Sequence, residues 1–540
     1  MHRDYWLDKT SDFPDAVRQF GMQAIAAAYR LNLPSNPYFG VSKVARWAEA
    51  ALSFWAGQQH RDGSFDEFYP YERGWVGPTA FTTFTAAETV QTLGDVLTPK
   101  VRERAIEAIA RAARFIRKGD READSLANHH AMACLAMHKA HAVSGEAEFA
   151  EGFEERWAEY LTYHCQGEGW SREYDGVDPG YLSASVSFLA KIYTEAPRSD
   201  MFEVLKESVE TVAYFVGPDG SFGGSSGSRN TLHFYPHGFE LLREEIPAAG
   251  AVADALVDGL VQGQLVAPEA MSDRYLGYRV CEFIQAHETS REKLRAEPPP
   301  GDYELPFQRQ PFKHKLRRAR VLFEKTPHSY QIANLAKGGV VRIFDASGDM
   351  IASDAGTMAV TQNGVFTTQW VHEALEIETD NNGWSVSGRF QRAPQPQLFT
   401  PMKQIIFRSI LILISPIPPL SHSLKSLIRR LIITGSSPAS LFFTRTFKWK
   451  NDSIEIVDQF ANPDGISTDC LSVGDEFNVR YVPQSRYLQR FELGLSKHDA
   501  PADMLAIFNQ GEPISLTRLI TTSGEVSANW SAIASSDQEK

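Results

Sequence analysis

Apolar residues recur three and four positions apart through the first half of the chain, then at every second position further on. In VSKVARWAEAALSFWAGQQ, KVRERAIEAIARAARFIRKG, SLANHHAMACLAMHKAHAV, EFAEGFEERWAEYLTYHC and MFEVLKESVETVAYFV the apolar positions trace one helical face. Ala and Leu are frequent there and β-branched runs are few, which favours helix further. HSYQIANL, GGVVRIFDA, GVFTTQWVH, ALEIETD, GWSVSGRFQ, SIEIVDQF and FNVRYV alternate apolar and polar residues instead. NG, NNG, SG and DG pairs separate them, so these segments predict antiparallel strands joined by turns.

The two regimes meet at Arg295-Ala-Glu-Pro298-Pro299-Pro300-Gly301-Asp302, where consecutive prolines exclude helix. The chain therefore divides into a helical domain over 1–295, a Pro-rich linker over 296–310 and an antiparallel β domain over 311–530. A polar tail over 531–540 is expected to be loose. Within the helical half, Arg61-Asp62-Gly63-Ser64-Phe65, Gly167-Glu168-Gly169-Trp170 and Asp219-Gly220-Ser221-Phe222 repeat one theme: glycine and an aromatic after a helix. Such repetition suggests helical hairpins closed into an α/α toroid, whose inner loops surround one cleft. The fold class expected is α+β multidomain, an N-terminal α/α toroid followed by a C-terminal antiparallel β-sandwich.

One segment breaks the alternation. Residues 400–445 are basic and hydrophobic, and from Asn381 to Lys450 there is no Asp or Glu. That window holds ten bases, Arg389, Arg392, Lys403, Arg408, Lys425, Arg429, Arg430, Arg445, Lys448 and Lys450, in a chain whose net charge is −13. Such a stretch suits an amphipathic element lying on anionic lipid, and equally an insertion that covers the sandwich or faces the acidic helical half. Pro416, Pro418 and Pro419 favour two short helices over a membrane span.

The acidic balance speaks against a nucleic-acid partner. Cys134, Cys165, Cys281 and Cys470 form no CxxC pair, and GxGxxG and GxxxxGK[ST] are absent. His130, Cys134, His138 and His141 share one helical stripe, but ligands strung along one helix rarely converge on an ion. No metal or cofactor is expected. The opening MHRDYWLDKTSDFPDAV shows no basic stretch before an apolar core, so a cytoplasmic location is expected, peripheral on the inner face of the membrane.

Three helical-half segments concentrate polar and aromatic residues. They are Asn128-His129-His130, Glu168 to Tyr181, and Ser228 to Glu240. An Asn-His pair inside an Ala/Met/Leu helix needs partners when buried, so either a satisfied core network or a shared active site is implied. A toroid followed by a sandwich, with Asn128-His129 preceding Tyr181 by 53 residues and Gly169-Trp170-Ser171-Arg172-Glu173 between them, resembles the heparinase II/III-like (alginate-lyase-like) polysaccharide lyases. The loop has one residue more before its Glu than that family's pattern.

The resemblance implies β-elimination on a uronic-acid glycan, in bacterial surface or exopolysaccharide metabolism. The substrate would be a polysaccharide or a lipid-linked glycan. It assigns Asn128 to the substrate carboxylate, His129 to assistance or base catalysis, and Tyr181 to base, acid or both. His233 and His237 are candidates for a further histidine. His328 is the first choice for one from the sandwich, ahead of His372. Substrate contacts are expected from Tyr71, Arg73, Trp75, Trp170, Arg172, Glu173, Arg229, Asn230 and Tyr235. Arg172 or Arg229 would supply the positive field that a basic tyrosine needs.

Other readings stay open. Glu72, Glu173, Asp178 and Glu240 supply carboxylates for an α/α-toroid glycoside hydrolase. A uronate epimerase shares the proton abstraction, and a cleft lined by aromatics without converged chemistry would mark a non-catalytic glycan-binding protein of an export assembly. A terpene-cyclase-like toroid lacks its DxDD and DDxxD motifs here.

Overall fold

The structure is a computed structural model that describes residues 19–66, 76–119, 126–271, 273–296, 303–393, 400–414, 437–450, 453–474 and 497–533, with a few positions between 417 and 427. The helical part comprises α1 (Gly21–Arg30), α2 (Ser42–Gln58), α3 (Val76–Leu93), α4 (Pro99–Lys118), α5 (Ala127–Ser144), α6 (Ala147–Tyr163), α7 (Pro179–Glu195), α8 (Ser199–Tyr214), α9 (His237–Leu242), α10 (Pro247–Val261) and α11 (Asp273–Ala296). A short hairpin of β1 (His164–Cys165) and β2 (Trp170–Ser171) joins α6 to α7. Gly169 makes that hairpin possible: its φ is +64°, and a Cβ there would lie 2.1 Å from the Glu207 carbonyl oxygen.

The five segments read as helices from their apolar spacing are α2, α4, α5, α6 and α8. The stripe is weakest in α3 and α5, which are buried nearly all round, and α7 is buried over most of its length. Contacts between helices run in a cycle: α1 packs on α3, α3 on α5, α5 on α7, α7 on α9, α9 on α11, and α11 returns to α1. The other helices pack outside this cycle, with α2 on α4, α4 on α6 and α8 on α10. Helix α11 continues to Ala296, further than the prolines of the sequence suggested.

The β part begins with a five-stranded antiparallel sheet, β3 (Phe312–Leu316), β4 (Val321–Lys325), β5 (Ser329–Asn334), β6 (Val340–Asp345) and β7 (Met350–Asp354). A ten-stranded antiparallel sheet holds β8 (Thr357–Thr361), β9 (Gly364–Thr367), β10 (Glu376–Thr379), β11 (Gly383–Arg392), β12 (Pro438–Lys450), β13 (Ser453–Ala461), β14 (Thr468–Gly474), β15 (Lys497–Asp499), β16 (Ile514–Thr521) and β17 (Val526–Ala532). Its order is β15-β14-β8-β9-β11-β12-β13-β16-β17, with β10 beside β11.

The small sheet is covered on both faces. Val321, Phe323, Tyr330, Ile332 and Phe344 join the helical core. Leu322, Ala333, Val341 and Ile343 join a second core with Val386, Phe390, Leu441 and Ile456 of the large sheet. All six residues of β5 are therefore buried, polar ones included. Truncating Phe323 to alanine would cost about 3–5 kcal/mol. In the second core lies a closed ionic square. Arg445 binds Asp458 at 2.5 Å and Asp354 at 3.0 Å, and Arg518 binds Asp354 and Asp458 at 2.6 Å each.

Several expectations shift. GVFTTQWVH is strand only over Gly364–Thr367. Strand β17 pairs with β16 as far as Ala532, past the expected start of the tail. FNVRYV lies outside the described residues. Helix α12 (Pro401–Ile414) occupies the basic insertion, and α13 (Ala502–Asn509) packs on β14. Among the described residues no helix is long and apolar enough to cross a membrane.

Candidate active site

Two inner helices begin at the same place, and an acid caps each. Helix α5 opens with Asn128 in its first turn, where backbone N–H groups have no partner within the helix. Glu173, two residues beyond β2, fills that gap. Its carboxylate accepts the Asn128 side-chain amide at 2.7 Å and the Asn128 backbone N–H at 3.4 Å. Asp178 caps α7 by accepting the Tyr181 N–H at 3.2 Å. Its other oxygen accepts the backbone N–H groups of Arg229, at 2.9 Å, and Thr231, at 3.4 Å. The loop carrying Arg229 is thereby tied to the start of α7.

Gly180 is needed for that approach, since a Cβ there would sit 2.4 Å from Thr231 Cγ2 and 2.9 Å from the His233 carbonyl oxygen. The β part holds the same loop from its other side. Lys337 Nζ donates to the carbonyls of Ser225 and Gly227 at 2.9 and 2.8 Å and to Asn230 Oδ1, and Asn334 donates to the Ser226 carbonyl at 2.8 Å. Asn230 is in the left-handed region, at φ +57°, and this clamp stabilises it.

The chemistry converges on Tyr181, which is partly exposed. Burial and the adjacent Glu173 and Tyr174 push its phenol well above the ordinary range, while Arg229 pulls the other way. Tyr181 is thus held protonated. Burial, reinforced by Asp178 and opposed by Asn128 and Arg229, pushes Glu173 up to about 8, so it too keeps its proton near neutrality. Arg229 is 1% exposed, and its guanidinium lies 4.0 Å from the centre of the Tyr174 ring. Its Nε and Nη1 have no hydrogen-bond partner.

A second arginine repeats the arrangement. Arg279, also 1% exposed, lies 3.8 Å over the Tyr235 ring and donates to the Phe234 carbonyl at 2.6 Å. Its Nε and Nη1 are likewise unpartnered. The Tyr235 and Tyr278 hydroxyls meet at 2.9 Å. His129 stands edge-on to Phe81 at 5.3 Å, and Phe81 lies 5.9 Å from Tyr278, so the imidazole belongs to the same wall.

The structure therefore brings together Asn128, Glu173, Tyr181, Arg229, Asn230 and Tyr235, with His129 and His233 beside them. It places the other candidates elsewhere. Trp170 donates to Glu168 at 2.8 Å, and Glu168 accepts the Arg318 N–H at 2.8 Å, so this pair fastens the helical hairpin to the β3–β4 turn. Arg172 is exposed and lies over the Tyr163 ring at 5.7 Å. His237 bonds Thr289 at 3.2 Å inside a buried ionic network. Burial and Lys191 there hold its imidazole neutral, well below the usual range.

That network links Lys191 to Glu282 at 2.5 Å and Lys139 to Glu88 at 3.6 Å. Glu240 is locked to Arg243 at 2.9 Å. His328 is exposed in the turn before β5, whereas it is the opposite end of that strand, at Asn334, that touches the loop. His372 lies nearer: its neighbour Val371 comes within 3.7 Å of a Cβ placed on Gly176. Tyr71, Glu72, Arg73 and Trp75 lie outside the described residues, and among those described no His/Cys/Asp/Glu cluster could hold a metal.

Sequence reasoning missed Tyr174, Tyr278, Arg279 and Lys337. Arg279 left one signal, a charge beside the apolar run Val280-Cys281 in a helix that must bury that face. Lys337, in a turn before two glycines, left none.

Residues 38–236 match the family model described as the ulvan lyase N-terminal domain, a span that includes Asn128, Tyr181, Arg229 and His233. In fold the chain is similar to the Streptomyces coelicolor A3 chondroitin AC lyase in complex with chondroitin sulphate, with 10% identity and a TM-score of 0.51 over 85% of this chain and 63% of that one. It is similar to a Paenibacillus xanthan lyase at 10% identity and a TM-score of 0.51, over 97% of this chain and 53% of that one. The chain thus spans less than two thirds of either neighbour's length. No curated protein matches it. The resemblance to polysaccharide lyases read from Asn128-His129 and Tyr181 is borne out by the matched N-terminal domain and by a shared fold, helices first and antiparallel sheets after.

Proposed function

We propose that this chain is a polysaccharide lyase that cleaves a uronic-acid glycan by β-elimination, its helices closed as an α/α toroid and its sheets as a sandwich. The cycle of inner-helix contacts supports the toroid, and the core shared by the two sheets supports the sandwich. The observation that carries the activity is the convergence of Asn128, Glu173, Tyr181 and Arg229 at the starts of two inner helices.

A uronate C5–H is weakly acidic until its carboxylate charge is neutralised. Arg229, with two unpartnered N–H groups, and the Asn128 amide are the groups that neutralise it, aided by the positive ends of α5 and α7. Glu173, kept neutral, holds the Asn128 amide without adding a repelling charge. Tyr181 is an acid in the resting site, so it protonates the leaving O4. The His129 imidazole takes the C5 proton. As C5–H breaks, its electron pair forms the C4–C5 double bond, C4–O4 breaks, and O4 leaves with the tyrosine proton. The imidazolium returns its proton to the phenolate and resets the site.

A hydrolase would need two carboxylates across the bond. Asp178 commits both oxygens to backbone N–H groups and Glu240 is paired with Arg243, which disfavours that reading. The test is ultraviolet absorbance of purified protein on pectate, alginate, chondroitin, hyaluronan, glucuronan and ulvan. A rise that disappears in Tyr181→Phe is expected. Chain shortening without any rise would overturn the proposal.

A further inference from the structure

We propose that α12, with the exposed residues Ile417, Leu420 and Leu427, forms a surface by which the protein lies on an anionic lipid bilayer. This goes beyond the lyase reading and does not depend on it. Met402, Ile405, Ile406, Ile412 and Leu413 of α12 are all more than half exposed, with Leu413 at 74%. Ser409 lies among them and is exposed as well. At about 100° per residue these six positions fall in one stripe about 120° wide. Leu411, on the opposite side, is buried. The amphipathic helix is therefore inverted: its apolar stripe faces outward. Ile417, Leu420 and Leu427, further along the chain, are exposed as well.

Charge selects the occupant. Lys403, exposed, and Arg408, partly buried, flank the stripe on its two sides, the positions from which long basic side chains reach phosphates while the stripe sinks among acyl chains. Lys425, Arg429 and Arg430 follow in sequence, with no Asp or Glu anywhere from Asn381 to Lys450. The rest of the chain is strongly acidic, so the positive charge concentrated in this segment of the sequence is complementary to anionic headgroups. A second copy fits less well. A helix of 14 residues is about 21 Å long, so its stripe offers roughly 200 Å², well under the ~800 Å² per partner of a stable interface. Two such surfaces would also bring like charges together.

The experiment is co-sedimentation of the full chain with vesicles of phosphatidylcholine alone or mixed equally with phosphatidylglycerol. Binding to the mixed vesicles only, released when salt rises from about 0.1 M to about 1 M, is expected. The double variant Ile405→Glu/Leu413→Glu should weaken binding at least tenfold with an unchanged melting temperature. Lys403→Ala should weaken it about fivefold. A milder Ile412→Ser variant, also exposed, serves if the double variant melts early, and should still lose affinity. Wild-type protein that stays in solution, equal binding to neutral vesicles, or variants that bind like wild type would overturn the proposal. So would a dimer in analytical ultracentrifugation that the double variant abolishes, since the stripe would then belong to a second copy.

Discussion

Two pairs of buried arginines occupy this molecule, and they differ in what surrounds them. Arg445 and Arg518 sit in the β part, each bonded to both Asp354 and Asp458, so two positive charges meet two negative ones. Arg229 and Arg279 sit in the helical part, stacked on Tyr174 and Tyr235, each with Nε and Nη1 unpartnered. In the first arrangement charge is balanced and strands are held together, although Arg445 Nη2 and Arg518 Nε also lack a hydrogen-bond partner. In the second, neither arginine forms an ion pair among the described residues, which is costly for a buried cation unless an anion arrives. A carboxylate-bearing sugar is such an anion. The contrast lies in the carboxylates: Arg445 and Arg518 have them, and Arg229 and Arg279 have aromatic rings instead.

Substitutions around each arginine pair have different expected effects. The largest effect is expected from Tyr181→Phe, which removes one hydroxyl at the proposed reacting centre. Turnover should fall about 10³-fold with melting unchanged, checked by absorbance assay and calorimetry. Next, Asp458→Ala should uncover two buried guanidinium groups and cost about 3–5 kcal/mol of stability. Denaturant melts would report the loss, while activity per folded molecule should persist.

Arg229→Met is the mirror experiment. It should lower kcat/KM about a hundredfold yet leave stability equal or higher, because a buried and incompletely bonded cation is removed. A destabilised but active Arg229→Met variant would erase the distinction between the two pairs.

A smaller effect concerns pH. Glu173 is pushed up to about 8, chiefly by burial, so its folded pKa lies above the ordinary carboxylate value. Between those values the folded state binds more protons than the unfolded one, so stability falls as pH rises towards 8. Melting temperatures of Glu173→Gln should lack that part of the decline. Wild-type activity should also drop as Glu173 ionises, because a charged neighbour would repel the substrate carboxylate.

The sequence made half of this legible. Helices with one wet face, such as α4 and α6, announced themselves by period, and so did strands with one wet face, such as β13. Helices α3, α5 and α7 carry Phe81, Asn128 and Tyr181 but are buried over most of their surface, so their stripes are weak. Asn128, Tyr181 and Arg229 stood out as polar residues in apolar or glycine-rich surroundings. Their partners did not: Arg279 lies on the last helix of the cycle and Lys337 on the far domain, and only the closing of the chain brings them to the same loop. His328 was misjudged for a related reason. Strand β5 touches the site through its end at Asn334, and the sequence does not say which end of a strand faces a distant domain.

The most direct test of the central claim follows the oxygen of water. The best substrate from the panel is cleaved in heavy-oxygen water, and both fragments are weighed. Elimination adds no water, so the account predicts fragment masses that sum to the parent and carry no heavy oxygen. One heavy oxygen at the new chain end would mean that water attacks the bond, and would contradict a lyase built around Tyr181.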